Sequence, residues 1–285
     1  MVVLGCAAGG AYWVRVQGQR TTRAASAELE PEPLSPSAPE QPASSTAPHP
    51  SAPEPAKQPP AEPDPGLPLR SGEVLQYTAN VANLTNVADL TLQVREHKPF
   101  FGKNAWHLQA FAHTQNPLRM VFTLDDQFDS YSDASTMASL QYEMHLNERG
   151  EKVESVQRMT TTGKEPAPPN VTEARVLPGT RDPLGFLQYL RNVDWAKTPQ
   201  VRGPVYDGHG LYDVRAELAA TGQLVTVPAG TYKATKIEIH VFQNGQEMKD
   251  AHFTIYLAGN TVHTPLLLEA VMPVATAQVE LVKAR

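Results

Sequence analysis

From Glu73 onward, short stretches of alternating apolar and polar residues follow one another at close intervals. EVLQYTANV, ADLTLQVRE and NAWHLQAFAHT each carry the period of two that predicts a half-buried strand. SLQYEMHLNERGEKVESVQRMTT predicts two strands joined at Asn147-Glu148-Arg149-Gly150. The pattern continues through VYDGHGLYDVRAEL, GQLVTVPAGTYKATKIEIHVF, NGQEMKDAHFTIYLAGN and TPLLLEAVMPVATAQVELV. Asp207-Gly208, Asn244-Gly245 and Gly259-Asn260 supply turn signals. In VTVPAGTYKATKIEI, Pro228 presets the first central position of a turn and Gly230 supplies a positive φ, a pairing that builds a turn with a β-bulge. Beyond it, Tyr232, Ala234, Lys236, Glu238 and His240 are expected on one face, with Lys233, Thr235, Ile237, Ile239 and Val241 on the other. Short intervals and repeated turns favour antiparallel pairing.

One segment breaks the period. In RDPLGFLQYLRNVDW, Asp182 is a good helix N-cap and Pro183 suits the first helical position. Leu184, Leu187 and Leu190 make an apolar stripe, with Phe186 beside it. Gly185 weakens this helix by about 1 kcal/mol relative to alanine, a cost that makes sense if the helix must sit close to a sheet. The fold class expected is therefore mainly β: an antiparallel sheet curved into an open or half-closed barrel, with one covering helix.

The N-terminal quarter has a different composition. Fourteen of the 26 prolines lie between Pro31 and Pro68, and residues 28–68 carry a local net charge of −6. Such a segment has too little apolar surface to offset its ordering entropy, so residues 28–68 read as a disordered, Pro-rich tether that holds residues 69–285, the β-rich domain, away from a membrane. Residues 1–27 read as a truncated signal sequence or membrane anchor. VVLGCAAGGAYWV is apolar or small and is followed by Arg15, Arg20 and Arg23. Val3-Leu4-Gly5-Cys6 resembles a lipobox, which makes Cys6 a lipidation candidate, and Ala25-Ser26-Ala27 would suit a signal peptidase. The alternatives are an uncleaved inner-membrane anchor, the plainest reading, and a short buried helix. Cys6 is the only cysteine, so a disulfide within the chain and a Cys-rich zinc site are both excluded. Residues 69–285 are net −3, which argues against a nucleic-acid partner.

The order of features, from GEVLQYTANV through RDPLGFLQYLR, VYDGHGLYDVRAEL and TVPAGTYKATKIEI to the closing strands, resembles the bacterial exported family known as domain of unknown function 3108. The shared patterns are Gly72-Glu73-x-Leu75-x-Tyr77, the Asp-Pro-Leu helix with its Tyr-Leu-Arg end, and the Pro-Ala-Gly-Thr turn. The resemblance spans roughly residues 72–283. It implies an envelope location and a fold similar to the helix-plugged half-barrels of lipoprotein carriers. It brings no reaction, cofactor or catalytic residue with it.

Chemistry is sparse. None of the nine histidines forms an HExxH or a His-x-His pair. His107 and His113 could share a strand face, as could His240 with Lys236 and Glu238. Asp125, Asp126, Asp129 and Asp133 crowd LDDQFDSYSD without EF-hand spacing, and read as a solvated loop or strand edge. Asp207-Gly208-His209-Gly210 reads as a hairpin tip. Phe100, Phe101, Trp106, Phe111, Phe186, Tyr189, Trp195, Tyr206 and Tyr212 would either line a cavity or fill a core. No catalytic, cofactor-binding or metal residue is assigned.

The leading functional reading is a non-catalytic envelope protein that binds a lipid or acylated protein. The alternatives are a structural or assembly factor bound to another envelope protein, and a hydrolase whose residues converge from separate strands. The expected location is the periplasm, tethered to the inner membrane or, as a second option, lipid-anchored.

Overall fold

The computed structural model describes residues 69–162, 168–271 and 276–285. The anchor and tether expected over residues 1–68, with Cys6, lie outside the described residues. Thirteen strands form one sheet: β1 Val74–Val81, β2 Leu84–Phe100, β3 Lys103–Thr114, β4 Asp125–Asp133, β5 Ser139–Glu148, β6 Glu151–Thr160, β7 Thr172–Arg175, β8 Gln200–Tyr206, β9 Leu211–Val227, β10 Gly230–Gln243, β11 Gln246–Ala258, β12 Pro265–Val271 and β13 Thr276–Ala284. Among the described residues one α-helix, α1, spans Pro183–Asn192. In space the strands run β7-β6-β5-β4-β3-β2-β1-β13-β12-β11-β10-β9-β8. Neighbours are antiparallel except for β6 and β7.

The alternation read from sequence is the alternation of the sheet. Along β3, Leu108, Ala110 and Ala112 are buried in the core while His107, Gln109 and His113 face outward. Bulges in β2 between Val94 and Glu96, and in β9 opposite Ala234 to Ile237 of β10, bend long strands and increase their twist. The burial of β10 also corrects the two-face expectation. From Lys236 to Val241 the faces alternate as read, but before Lys236, where the register against β9 shifts, it is Ala234 that is buried and Lys233 that is exposed. The turn itself forms at Pro228-Ala229, with Val227 opposite Gly230 and Gly230 at φ +135°. Its Ala229 N–H donates to Leu281 O on β13 (2.9 Å) and the Tyr232 hydroxyl to Ala229 O (2.9 Å). This hairpin end is a structural joint.

The sheet does not close by strand pairing. β7 and β8 are its two ends. The chain between β7 and α1 stitches the gap instead. Val176 N–H donates to Thr160 O (2.9 Å), Ser139 N–H to Thr180 O (2.9 Å) and Arg181 N–H to Pro204 O (3.1 Å). The β8–β9 tip reaches across as well, where Gln157 Nε2 donates to Gly208 O (2.9 Å). Helix α1 packs against β3, β4 and β8, with Leu184, Leu187 and Leu190 buried. Each leucine contributes about 1.5–3 kcal/mol of apolar burial. Phe128, Tyr142 and Leu190 are fully buried, and Trp106, Phe186 and Trp195 are more than nine-tenths buried in the same continuous core. Of the aromatics expected to line a cavity or fill a core, these three fill it. Phe100, Phe111, Tyr189, Tyr206 and Tyr212 are half-buried, and Phe101 is exposed.

Candidate functional site

Two polar constellations carry the chemistry of the domain, one inside the sheet and one outside. The inner one seats the helix. Asp182 has no solvent exposure; its carboxylate accepts from Ser130 Oγ (2.5 Å), Ser139 Oγ (2.5 Å) and Gly185 N–H (2.8 Å). Burial pushes this carboxyl above the ordinary range, against the hydrogen bonds that favour its charge. The helix comes so near β4 and β5 that a Cβ added at Gly185 would lie 2.8 Å from Ser132 Oγ and 3.0 Å from Met137 O. At the other end, Arg191 is fully buried and forks onto Glu73, with Nη1 to Oε2 at 2.7 Å and Nη2 to Oε1 at 2.8 Å. It also donates to Gln188 Oε1 (2.7 Å) and twice to Val262 O (3.1 and 3.0 Å), while its own carbonyl accepts from His263 Nδ1 (2.6 Å). Tyr77, buried beside this pair, donates to Pro265 O (2.9 Å), and burial raises its phenol well above the ordinary value. The Gly-Glu-x-Leu-x-Tyr and Tyr-Leu-Arg patterns are thus two halves of one lock between β1 and α1. An open cleft of about 420 Å³ lies next to it, lined by Arg70, Glu73, Leu75, Asn260 and Thr264 among others.

The outer constellation lies on the face of β2–β6 turned away from the core. Register puts Asp129 on β4 opposite Gln109 on β3 and Glu143 on β5, and His145 on β5 opposite Glu154 on β6. Asp129 is only 4% exposed. It holds His107 Nε2 at 2.6 Å and accepts from Gln109 Nε2 (2.6 Å) and Gln127 Nε2 (2.7 Å). Burial works to raise its carboxyl, but these hydrogen bonds outweigh it and hold it below the usual range. The His107 ring stacks on Tyr131 (4.5 Å), which stacks on Phe100 (4.1 Å). His145 Nε2 stands 3.6 Å from Glu143 Oε2 and 4.0 Å from Asp129 Oδ2, and its Nδ1 bonds Glu154. One donor atom each from Asp129, Glu143 and His145 lies within 4.8 Å of the others, a set able to hold a metal ion.

The segment read as a solvated loop or strand edge is therefore an interior strand, β4, flanked by β3 and β5. Its four aspartates do not converge on one ion. Asp126 points inward and accepts from Asn147 N–H (2.9 Å), and Asp133 caps the following turn through Ser135 and Thr136. Asp125 pairs with Arg119 (2.9 Å) and His113. His107 and His113 do share the outer face, each on its own aspartate. Lys236 pairs with Glu238 (2.9 Å), and His240 with Glu247 across the hairpin (2.6 Å). Residues 207–210 form the hairpin tip. The reading missed Glu143 with His145. A Glu-x-His pair inside an alternating strand, which places both on one face, was the available signal.

An open antiparallel β-half-barrel seated on one internal helix is the class these features define. The sequence profile of the family described as protein of unknown function (DUF3108) matches residues 76–282, and the chain belongs to that family. No curated protein matches the chain. Among solved structures it is similar to a beta-barrel-like protein of domain of unknown function DUF1849 from Brucella abortus. The TM-score is 0.52 at 10% identity, covering 75% of this chain and 97% of that one. That likeness is one of fold. Two further matches, a Bacteroides fragilis protein with a YmcC-like fold (10% identity, 77% of this chain and 98% of that one) and a Parabacteroides distasonis protein (15%, 77% and 97%), have TM-scores of 0.35. Among the described residues no helix is long and apolar enough to cross a membrane.

Proposed function

We propose that this domain is a non-catalytic cell-envelope protein that works through its surface, as a structural or assembly factor bound to another envelope protein. The observation that carries this reading is the filled interior. Helix α1, Phe128, Tyr142 and Leu190 occupy the space that a carrier would keep for an apolar ligand. Support for a surface role comes from the turn between β3 and β4. There Met120 and Val121 are 81% and 78% exposed, beside the partly buried Leu118 and Phe122, with Arg149 over the Phe122 ring (4.8 Å). A protruding apolar tip rimmed by arginines suits a protein partner with an apolar, acidic-edged surface. The composition of the N-terminal region and the family resemblance support a periplasmic location, tethered at the membrane.

The test is native mass spectrometry of the full-length chain from its producing cell, combined with photo-cross-linking from position 120. The expected result is a lipid-free mass and one discrete adduct with an envelope protein, abolished by Val121→Asp. A stoichiometric co-purifying lipid would restore the carrier reading in its place. Periplasmic exposure is checked by protease access in spheroplasts.

A further inference from the structure

We propose that Asp129, Glu143 and His145 form a binding site for one divalent transition-metal ion of the zinc class on the outer face of β4 and β5. The argument begins with separations. His145 Nε2 is 3.6 Å from Glu143 Oε2 and 4.0 Å from Asp129 Oδ2. Both are too long for hydrogen bonds, so a proton on Nε2 would be held by neither carboxylate. Both are close to the spacing of two donors around one ion. With bonds of about 2.0–2.2 Å, tetrahedral ligand atoms stand about 3.4 Å apart. The third edge, between the two carboxylates, is within 4.8 Å, so the side chains would draw together to close on a shared ion.

The histidine is also set in the tautomer a metal requires. Its Nδ1 bonds Glu154 Oε2, and a carboxylate oxygen can only accept, which puts a proton on Nδ1. The Nε2 lone pair then faces two carboxylate oxygens. Acceptors gathered this closely repel one another, and a cation between them would relieve that repulsion. The Glu154–His145 contact is the carboxylate–histidine arrangement that orients a metal-ligating imidazole and raises its basicity.

The carboxylates are tied back in the same way. Glu143 Oε1 accepts from Gln141 Nε2 (2.6 Å), which leaves Oε2 toward His145. Asp129 is fixed by His107, Gln109 and Gln127. Three carboxylates, those of Asp129, Glu143 and Glu154, face two imidazoles, that of His145 and, on Asp129 Oδ1, that of His107, so a divalent ion at His145 Nε2 would help to balance the cluster. One imidazole and two carboxylates select a transition ion over magnesium or calcium, which prefer oxygen alone. The His145 side chain is 32% exposed, which leaves solvent access for the remaining ligand positions.

The experiment titrates chelator-treated, tag-free full-length protein with zinc chloride against a chromophoric competitor, and with cobalt(II) followed by visible absorption. One equivalent is expected to bind at micromolar affinity or tighter. His145→Gln and Glu143→Gln should each weaken it at least a hundredfold, and Glu154→Gln about tenfold, the loss usual for an outer-shell partner. His240→Gln, on the far half of the sheet, should leave it unchanged. Far-UV circular dichroism of each metal-free variant checks folding. If a variant fails to fold, long-range proton–nitrogen spectra of the wild type decide, with His145 Nε2 shifting on the first equivalent. Absence of a saturable equivalent overturns the proposal. So does binding that survives both ligand substitutions, or a first shift at another histidine.

Discussion

Glu73→Ala is the substitution that tests the architecture most directly. It removes both acceptors of the Arg191 fork, the 2.7 and 2.8 Å contacts, and leaves a fully buried guanidinium with only Gln188 Oε1 and Val262 O as partners. Breaking a buried pair from one side costs about 3–5 kcal/mol, because the remaining charge stays desolvated. Arg191→Met should cost a similar amount. It strands a carboxylate whose side chain is 12% exposed and deprives Gln188 and Val262 of their donor. The double variant Glu73→Ala/Arg191→Met removes both charges at once. Its cost should fall to about 2–4 kcal/mol, set by the orphaned Gln188 and Val262 acceptors. The cycle therefore predicts strong non-additivity, with a coupling of at least about 2 kcal/mol. Equilibrium unfolding in urea measures each corner, and Trp195, whose indole donates to Leu190 O (3.1 Å), reports the helix end by fluorescence. At about 2–4 °C per kcal/mol for a domain of this size, the singles should lose about 6–20 °C in Tm. A single-variant cost under about 1 kcal/mol, or additive singles, would refute the lock between β1 and α1.

Three further outcomes follow from the same geometry. Gly185→Ala should destabilise by about 1 kcal/mol: the helix gains about 1 kcal/mol of propensity but the methyl overpacks against Ser132 and Met137 by about 1–3 kcal/mol. A raised Tm would show that the close approach is wrong. Tyr77→Phe removes only the bond to Pro265 O and should cost about 0.5–1.5 kcal/mol by the same unfolding assay, far less than the ion-pair variants. Burial, and then the neighbouring Asp126, raise Glu148 from its ordinary 4.5 to about 7. Because the folded state holds this proton more tightly, the associated stability is complete below pH 4.5 and is lost as pH rises through about 7. Solvent screening at this half-exposed group limits the loss to on the order of 1 kcal/mol. Subtracting the Glu148→Gln stability curve from the wild-type curve between pH 4 and pH 8 should isolate that fall, and a flat difference would contradict it.

The strands that alternation revealed are those with apolar inner faces. β4 escaped because its inner face is Asp126, Phe128, Ser130 and Ser132, three polar residues out of four. Two of those serines exist to hold the helix: Ser130 donates to the capping carboxylate of Asp182 and Ser132 bonds Ser130 (2.8 Å). A strand that faces a helix N-terminus spends its core positions on hydrogen bonds, and its hydrophobic period disappears. The start of the helix was legible to the residue, since its cap, first proline and leucine stripe act locally. Pairing was not. That Glu73 meets Arg191, 118 residues later, depends on the placement of α1 relative to β1, which no local pattern encodes. The outer cluster was hidden for a related reason. Asp129 looks solvated in a run of aspartates, and only register across β3, β4 and β5 brings it among His107, Glu143 and His145.

The residues that make the family recognisable have their chemistry consumed internally. Both Glu73 oxygens bind Arg191, the Tyr77 hydroxyl binds Pro265, Asp182 is saturated by two serines and the helix backbone, and the Pro-Ala-Gly-Thr turn is anchored on β13. A side chain whose donors and acceptors are all engaged in the core has nothing left with which to hold a ligand. Those patterns therefore specify how a helix is locked into an open sheet. What distinguishes one such domain from another must lie where polar groups still face outward with unfilled valence. On this chain the imidazole nitrogen of His145, directed at two carboxylates and bonded to neither, is the clearest such group.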